Sequence, residues 1–205
     1  MTDSPIILTL TPPEAPTTPT QARVLPFGLT WATIALIGII VLALGLRLIN
    51  DDVFGDGNTY YTAAVKNMLK SPSNFFFATA DAGNVTVDKP PVALWVQAIF
   101  GGLFGVTGFT VTLPSIIAGV LSVALLYHLV KKGFGTSAGL ISAFILAITP
   151  VTIATDTTNN LDSMLIFTLL LATWGFIRAT ETGKWRPLLL GAILIGVGFN
   201  IKMLQ

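Results

Sequence analysis

Residues 86–106 read TVDKPPVALWVQAIFGGLFGV, and the fold turns on whether the apolar part of this stretch crosses a bilayer or lies along its surface. A helix over 91–106 is roughly 24 Å long at 1.5 Å per residue. That falls short of the ~30 Å of hydrocarbon a span must cross, and the segment carries Gln97. A helix lying in the headgroup plane is the better reading. Pro90 and Pro91 precede it; they fix the chain direction and bias the residue before them away from helix. Asp88 and Lys89 are therefore presented from a stiff corner.

The rest of the chain supports a membrane setting. Of its 205 residues 53% are hydrophobic and only 10% are charged, against roughly 25% charged residues in a soluble domain. Too little charge is available to cover a water-facing surface. The formal net charge of +1 gives no sign of a nucleic-acid partner, and the absence of cysteine removes disulfides, thiolate chemistry and thiolate metal sites. Residues 1–25 are rich in Pro and Thr, have no period and are expected to be a disordered cytoplasmic segment. Spanning helices are expected at about 27–48, 112–130, 137–154, 163–177 and 187–203, with an external loop over 49–111. Inside that loop, 58–70 is an amphipathic helix with Tyr61, Ala64, Val65 and Met68 on one face. The segment 91–106 is the second interfacial helix, with Trp95 and Phe75-Phe76-Phe77 as aromatic anchors. The fold class is thus an all-α polytopic membrane protein. The chain stops just past an apolar run, so it is expected to be the N-terminal part, 26–205, of a larger membrane domain and to be inactive alone.

Charge sets the orientation. With residue 1 in the cytoplasm, the cytoplasmic loops carry Lys131, Lys132, Arg178, Lys184 and Arg186. The external loops carry Lys66, Lys70 and Lys89, so the positive-inside rule is met by 5 to 3. A spanning 91–106 would invert that count. This topology gathers Asp51, Asp52, Asp56, Asp81, Asp88, Asp156 and Asp162 at the external side.

Acids and lysines close to lipid are costly and are functional candidates. Asp51 and Asp52 solvate the end of the first span, Asp81 belongs to a turn with Ala82-Gly83-Asn84, and Asn84-Val85-Thr86 is loop. The pair Asp88-Lys89 has two readings that the residues leave open: a phosphate-binding point charge, or a helix start with a snorkelling lysine. Lys202, at the external end of the last span, has the same two readings. The run Thr157-Thr158-Asn159-Asn160-Leu161-Asp162 is rich in hydrogen-bonding groups and could cap the helix that follows. His128, the only histidine, is read as packed or interfacial.

Four segments carry a resemblance when taken in order: Asn58-Thr59-Tyr60-Tyr61 with Ala63 to Met68; Asp88-Lys89-Pro90-Pro91; Asn159-Asn160-Leu161-Asp162; and Gly198-Phe199-Asn200-Ile201-Lys202. Together they resemble polyprenyl-phosphate-dependent glycosyltransferases of the GT-C fold, family 39. That family includes the dolichyl-phosphate-mannose protein mannosyltransferases and the bacterial aminoarabinose transferase that modifies lipid A. The resemblance implies a carboxylate base in the first external loop. Here Gly57-Asn58 stand where relatives often have Asp-Glu, so Asp56 and Asp88 compete for that role. It implies that Lys89 and Lys202 meet the donor phosphate, and that Asp162, Asn58 and Tyr61 are acceptor-orienting or structural.

The expected function is therefore transfer of a hexose or pentose, with inversion, from a polyprenyl-phosphate carrier to a hydroxyl acceptor on the non-cytoplasmic face. No protein metal site and no cofactor is required by this reading; participation of a divalent metal stays open. Membrane lipid and the lipid-linked sugar are the expected partners, and the acceptor is undefined. The alternative is a lipid or solute transporter, which would place broken spans and charge near mid-membrane. A non-catalytic scaffold would not need an Asp-Lys pair at a proline corner.

Overall fold

The fold was analysed in a computed structural model, which describes residues 30–49, 57–81 and 85–203. Residues 1–25, Asp51, Asp52, Asp56 and Asn84 lie outside the described residues. In chain order the elements are α1 (Trp31–Leu48), α2 (Thr59–Met68), α3 (Pro72–Phe76), β1 (Thr79–Asp81), β2 (Val85–Thr86), α4 (Val92–Phe104), α5 (Gly108–Ile148), α6 (Pro150–Asp156), α7 (Asp162–Thr182) and α8 (Trp185–Ile201). Among the described residues α1, α5 and α7 are long and apolar enough to cross a membrane, and α8 is a shorter apolar helix. The chain is an all-α polytopic membrane protein. The short helix α3 and a small antiparallel pair, with Thr79 opposite Thr86 and Asp81 opposite Val85, add to the expected helices.

A straight helix of 41 residues would be roughly 60 Å long, twice the hydrocarbon thickness. α5 avoids this by breaking at Gly135, whose φ of 87° and ψ of 171° are open to glycine but strained for other residues. The chain doubles back there, so that Gly139 packs against the Tyr127 carbonyl and Lys131. The limb before the break, residues 108–134, is roughly 40 Å long, and the limb after it, residues 136–148, roughly 20 Å. α1 lies against both limbs through Ala43, Val123, Tyr127, Ala143 and Ala147. α7 and α8 form a second pair, in close backbone contact where Gly175 meets Gly191. Small residues let apolar helices approach closely in a membrane.

Several boundaries shift from those expected, each for a local reason. α5 begins at Gly108 rather than near 112, because Thr107 caps it: its hydroxyl accepts from Thr110 N–H, and its own N–H donates to Thr110 Oγ1. The helix expected to run to 154 stops at Ile148, since Pro150 removes a donor and holds Thr149 extended at ψ 117°. The short α6 follows as a separate piece. α7 continues past 177 to Thr182, where Gly183 turns into the left-handed region and its N–H bonds Ala179 O.

The position of α4 follows from its partners. Its 13 residues span roughly 20 Å. Gln97 Nε2 donates to Asn159 O at 2.8 Å, and Ser115 Oγ, early in α5, donates to Asn160 O at 3.0 Å. Lys89, just before α4, shares a cleft with Asn160 and Asp162. Lys89 before α4, Gln97 within it and Ser115 in α5 thus all meet the 157–162 turn. α2 packs beneath α4 with Tyr61, Ala64, Val65 and Met68 buried.

Candidate functional site

The 157–162 turn, which links α6 to α7, is the hub of this end of the molecule. Asn159 is wholly buried and sits at φ 47°, a left-handed conformation that Asn tolerates better than most residues. Its side chain accepts from the Asn58 N–H at 2.7 Å and donates to Thr62 Oγ1 at 3.2 Å. The Asn58 N–H is also shared with Thr158 O at 3.2 Å. The start of α2 is therefore tied to the turn. Asn58 itself is the N-cap of α2, its side-chain oxygen accepting from Tyr60 N–H at 3.1 Å.

Lys89 reaches the turn from the other side. Val87 N–H donates to Ala78 O at 2.9 Å, continuing the hydrogen bonding of the β1–β2 pair. Trp95 Nε1 donates to Phe75 O at 2.8 Å, fixing the first turn of α4 against α3. Between these anchors stands the Asp88-Lys89 corner, with the two side chains 3.4 Å apart. The Lys89 side chain retains 16% of its exposure and Asp88 60%, so the lysine points inward while the carboxylate faces out.

Lys202 leaves the end of α8 and pairs with Asp162 at 2.7 Å. Asp162 opens α7 but is not its N-cap, and no side chain caps that helix. The carboxylate instead holds Lys202 at the cleft, where a purely snorkelling lysine would have no partner. Tyr61, Lys89, Asn160, Leu161, Asp162 and Lys202 together line a cleft of about 40 Å³. Burial pushes the Tyr61 phenol above its usual pKa, and the charge on Asp88, neighbouring Tyr60 and Asp162 act in the same direction. The phenol thus stays protonated and can donate a hydrogen bond into the cleft.

Of the site residues expected from sequence, Tyr61, Lys89, Asp162 and Lys202 meet in this cleft, with Asp88 beside Lys89 and Asn58 one layer behind. Asp56 lies outside the described residues. Among the described residues, no group of three or more His, Cys, Asp or Glu could hold a metal ion. From the Asp162–Lys202 pair an apolar groove of about 410 Å³ runs between α7 and α8, lined by Leu165, Leu169, Ile195 and Phe199. A second apolar cavity of about 340 Å³ lies between α4, α5, α7 and α8, with Phe100, Ile117, Leu121 and Phe167 in its wall.

Sequence reasoning missed Arg47 and the part played by Asp156. Arg47 looks like the terminal charge of a span, and Asp156 like one external acid among seven. In the fold both are buried and paired, with Nε to Oδ2 at 2.5 Å. Gln97, a single amide in an apolar helix, was a legible signal for the contact with Asn159.

The family described as Dolichyl-phosphate-mannose-protein mannosyltransferase matches residues 88–205. Two curated proteins of Bacillus subtilis (strain 168) are similar to the chain. "Putative mannosyltransferase YycA" is 49% identical over 172 residues, 83% of this chain and 25% of that protein. "Putative mannosyltransferase YkcB" is 50% identical over 149 residues, 72% of this chain and 21% of that protein. The chain thus spans about a quarter of the length of the curated relatives it matches. No solved structure matches it. With the match covering the Asp-Lys corner, the 157–162 turn and Lys202, the chain belongs to the dolichyl-phosphate-mannose-protein mannosyltransferase family.

Proposed function

We propose that the whole protein is a membrane glycosyltransferase that moves mannose from a polyprenyl-phosphate carrier to a hydroxyl acceptor at the external membrane face. The observation that carries this reading is the convergence of Lys89 and Lys202 on one cleft at the mouth of an apolar groove. A lipid-linked sugar phosphate needs both parts: cations for its phosphate and a greasy channel for its isoprenoid tail. The mannosyltransferase names of the relatives support the choice of sugar.

In this reading the acceptor oxygen attacks the anomeric carbon and the bond from that carbon to the phosphate oxygen breaks. The bonding electrons leave with the carrier phosphate, whose charge rises from one negative to two, and the anomeric centre inverts. Lys89 and Lys202 offset that growing charge where it forms. The Tyr61 hydroxyl donates to the same region. The acceptor proton passes to a carboxylate; Asp88 on the open side of Lys89 and Asp56 in the first external loop are the candidates. Radiolabelled polyprenyl-phosphoryl-mannose, given to membranes holding the full-length protein, tests the reading. Transfer to membrane acceptors is expected, and Lys89→Ala should lower it about 100-fold, the scale of losing one charge-stabilising group. Undiminished transfer by that variant removes Lys89 from the phosphate.

A further inference from the structure

Arg47 and Asp156 form a second charged cluster, outside the cleft. Arg47 is fully enclosed in the last turn of α1. Its Nε donates to Asp156 Oδ2 at 2.5 Å, and one terminal nitrogen donates to Ala43 O at 2.9 Å and Ala147 O at 3.3 Å. The other carboxylate oxygen of Asp156 accepts from Ser163 Oγ. α5 leaves room by carrying Gly119 at the contact, where an added Cβ would stand 2.0 Å from Asp156 Oδ2. Four elements, α1, α5, α6 and α7, meet at this one carboxylate.

Stability is a poor account of such a pair, since replacing a buried ion pair with apolar residues of similar volume is often neutral or stabilising. Position explains it better. Asp156 and Ser163 bracket the 157–162 turn, and their mutual bond closes the turn at its base. The polar links from the turn to the elements around the cleft lie between them: Thr158 and Asn159 to Asn58, Asn159 to Thr62 and Gln97, Asn160 to Ser115, Asp162 to Lys202. We infer that Arg47 and Asp156 are positioning residues that set where the turn presents Asp162, and through it Lys202, to the reacting phosphate. This rests on the donor-phosphate reading above. Displacing the turn should matter most when the phosphate charge doubles, because the carrier tail in the groove dominates binding of the donor itself.

Two full-length variants test this. Gly119→Ala keeps every charge but pushes Asp156 aside; Arg47→Met with Asp156→Leu replaces the pair by apolar groups. Transfer from polyprenyl-phosphoryl-mannose is measured in membranes, with the thermal midpoint followed in detergent. The expected result is a saturating rate about tenfold lower, with the half-saturating donor concentration and the midpoint of the double variant near wild type. Wild-type rates in a folded variant, a change in half-saturation alone, or failure of both variants to fold would each overturn the inference. Binding of polyprenyl phosphate, read as a midpoint shift, separates the two levels. If wild type shows no shift, or Lys89→Ala shifts equally, the donor reading has failed and the positioning role falls with it. If Lys89→Ala alone loses the shift while both variants keep wild-type rates, only the positioning inference is wrong.

Discussion

At the end of the bundle that carries the cleft, Arg47 and Asp156 are enclosed and tied to backbone or side-chain partners on every side. At the other end, Lys132 pairs with Glu181, and Arg178 stands 3.8 Å from the same carboxylate. There the side chains retain between 34% and 52% of their exposure. α7 joins the two ends: Asp162 opens it and Glu181 lies in its last turn. The two ends hold ion pairs of similar chemistry in opposite environments. Enclosed charges must have their partners or lose much free energy, while exposed ones exchange partners with water at small cost. The enclosed set therefore constrains geometry, and the exposed set does little beyond marking a boundary.

The largest expected effect breaks the enclosed end. Asp156→Ala leaves the Arg47 guanidinium buried without its carboxylate and should destabilise the protein by about 3–5 kcal/mol. Denaturation in detergent, or the yield of folded protein from membranes, measures it. A loss no larger than that of an exposed pair would erase the contrast between the ends. Lys202→Ala comes next. It removes one cleft cation and leaves Asp162 facing the proposed phosphate, so transfer from polyprenyl-phosphoryl-mannose should fall about 100-fold. Unfolding stability should change little, because both partners are partly exposed. Parallel loss of stability and rate would mean that the Asp162–Lys202 pair only holds α7 to α8.

The same contrast explains what could be read from the sequence. α2 was legible because Tyr61, Ala64, Val65 and Met68 repeat at helical spacing, and all four become buried, along with Thr62 and Asn67. α4 was legible as a helix because its apolar run starts at a pair of prolines, which is a local property. The four cleft residues were reached through motif order, which stands in for contacts that span the chain. Arg47 and Asp156 are 109 positions apart, and no period or cap links them. Each reads as an ordinary charge at a helix end. The β1–β2 pair is too short for an alternation signal, and the end of α5 at Pro150 was lost because the apolar run continues across it.

The smallest expected effect tests the exposed end and the orientation together. Lys132→Cys removes the lysine that pairs with Glu181, and stability should change by less than about 1 kcal/mol, as for other solvated pairs. Lys131, packed over the Tyr127 ring at 5.3 Å, and Arg178 remain to hold that boundary. If this end faces the cytoplasm, as the positive-inside rule requires, the new thiol will not react with an impermeant maleimide added outside intact cells. It will react once the membrane is opened. Because this chain has no cysteine of its own, a label on it reports position 132 alone, provided the rest of the protein is cleared of thiols. Labelling from outside would turn the molecule over and put the Lys89–Lys202 cleft on the cytoplasmic side. The cluster would then survive as geometry, but its donor would have to be presented from the inner leaflet.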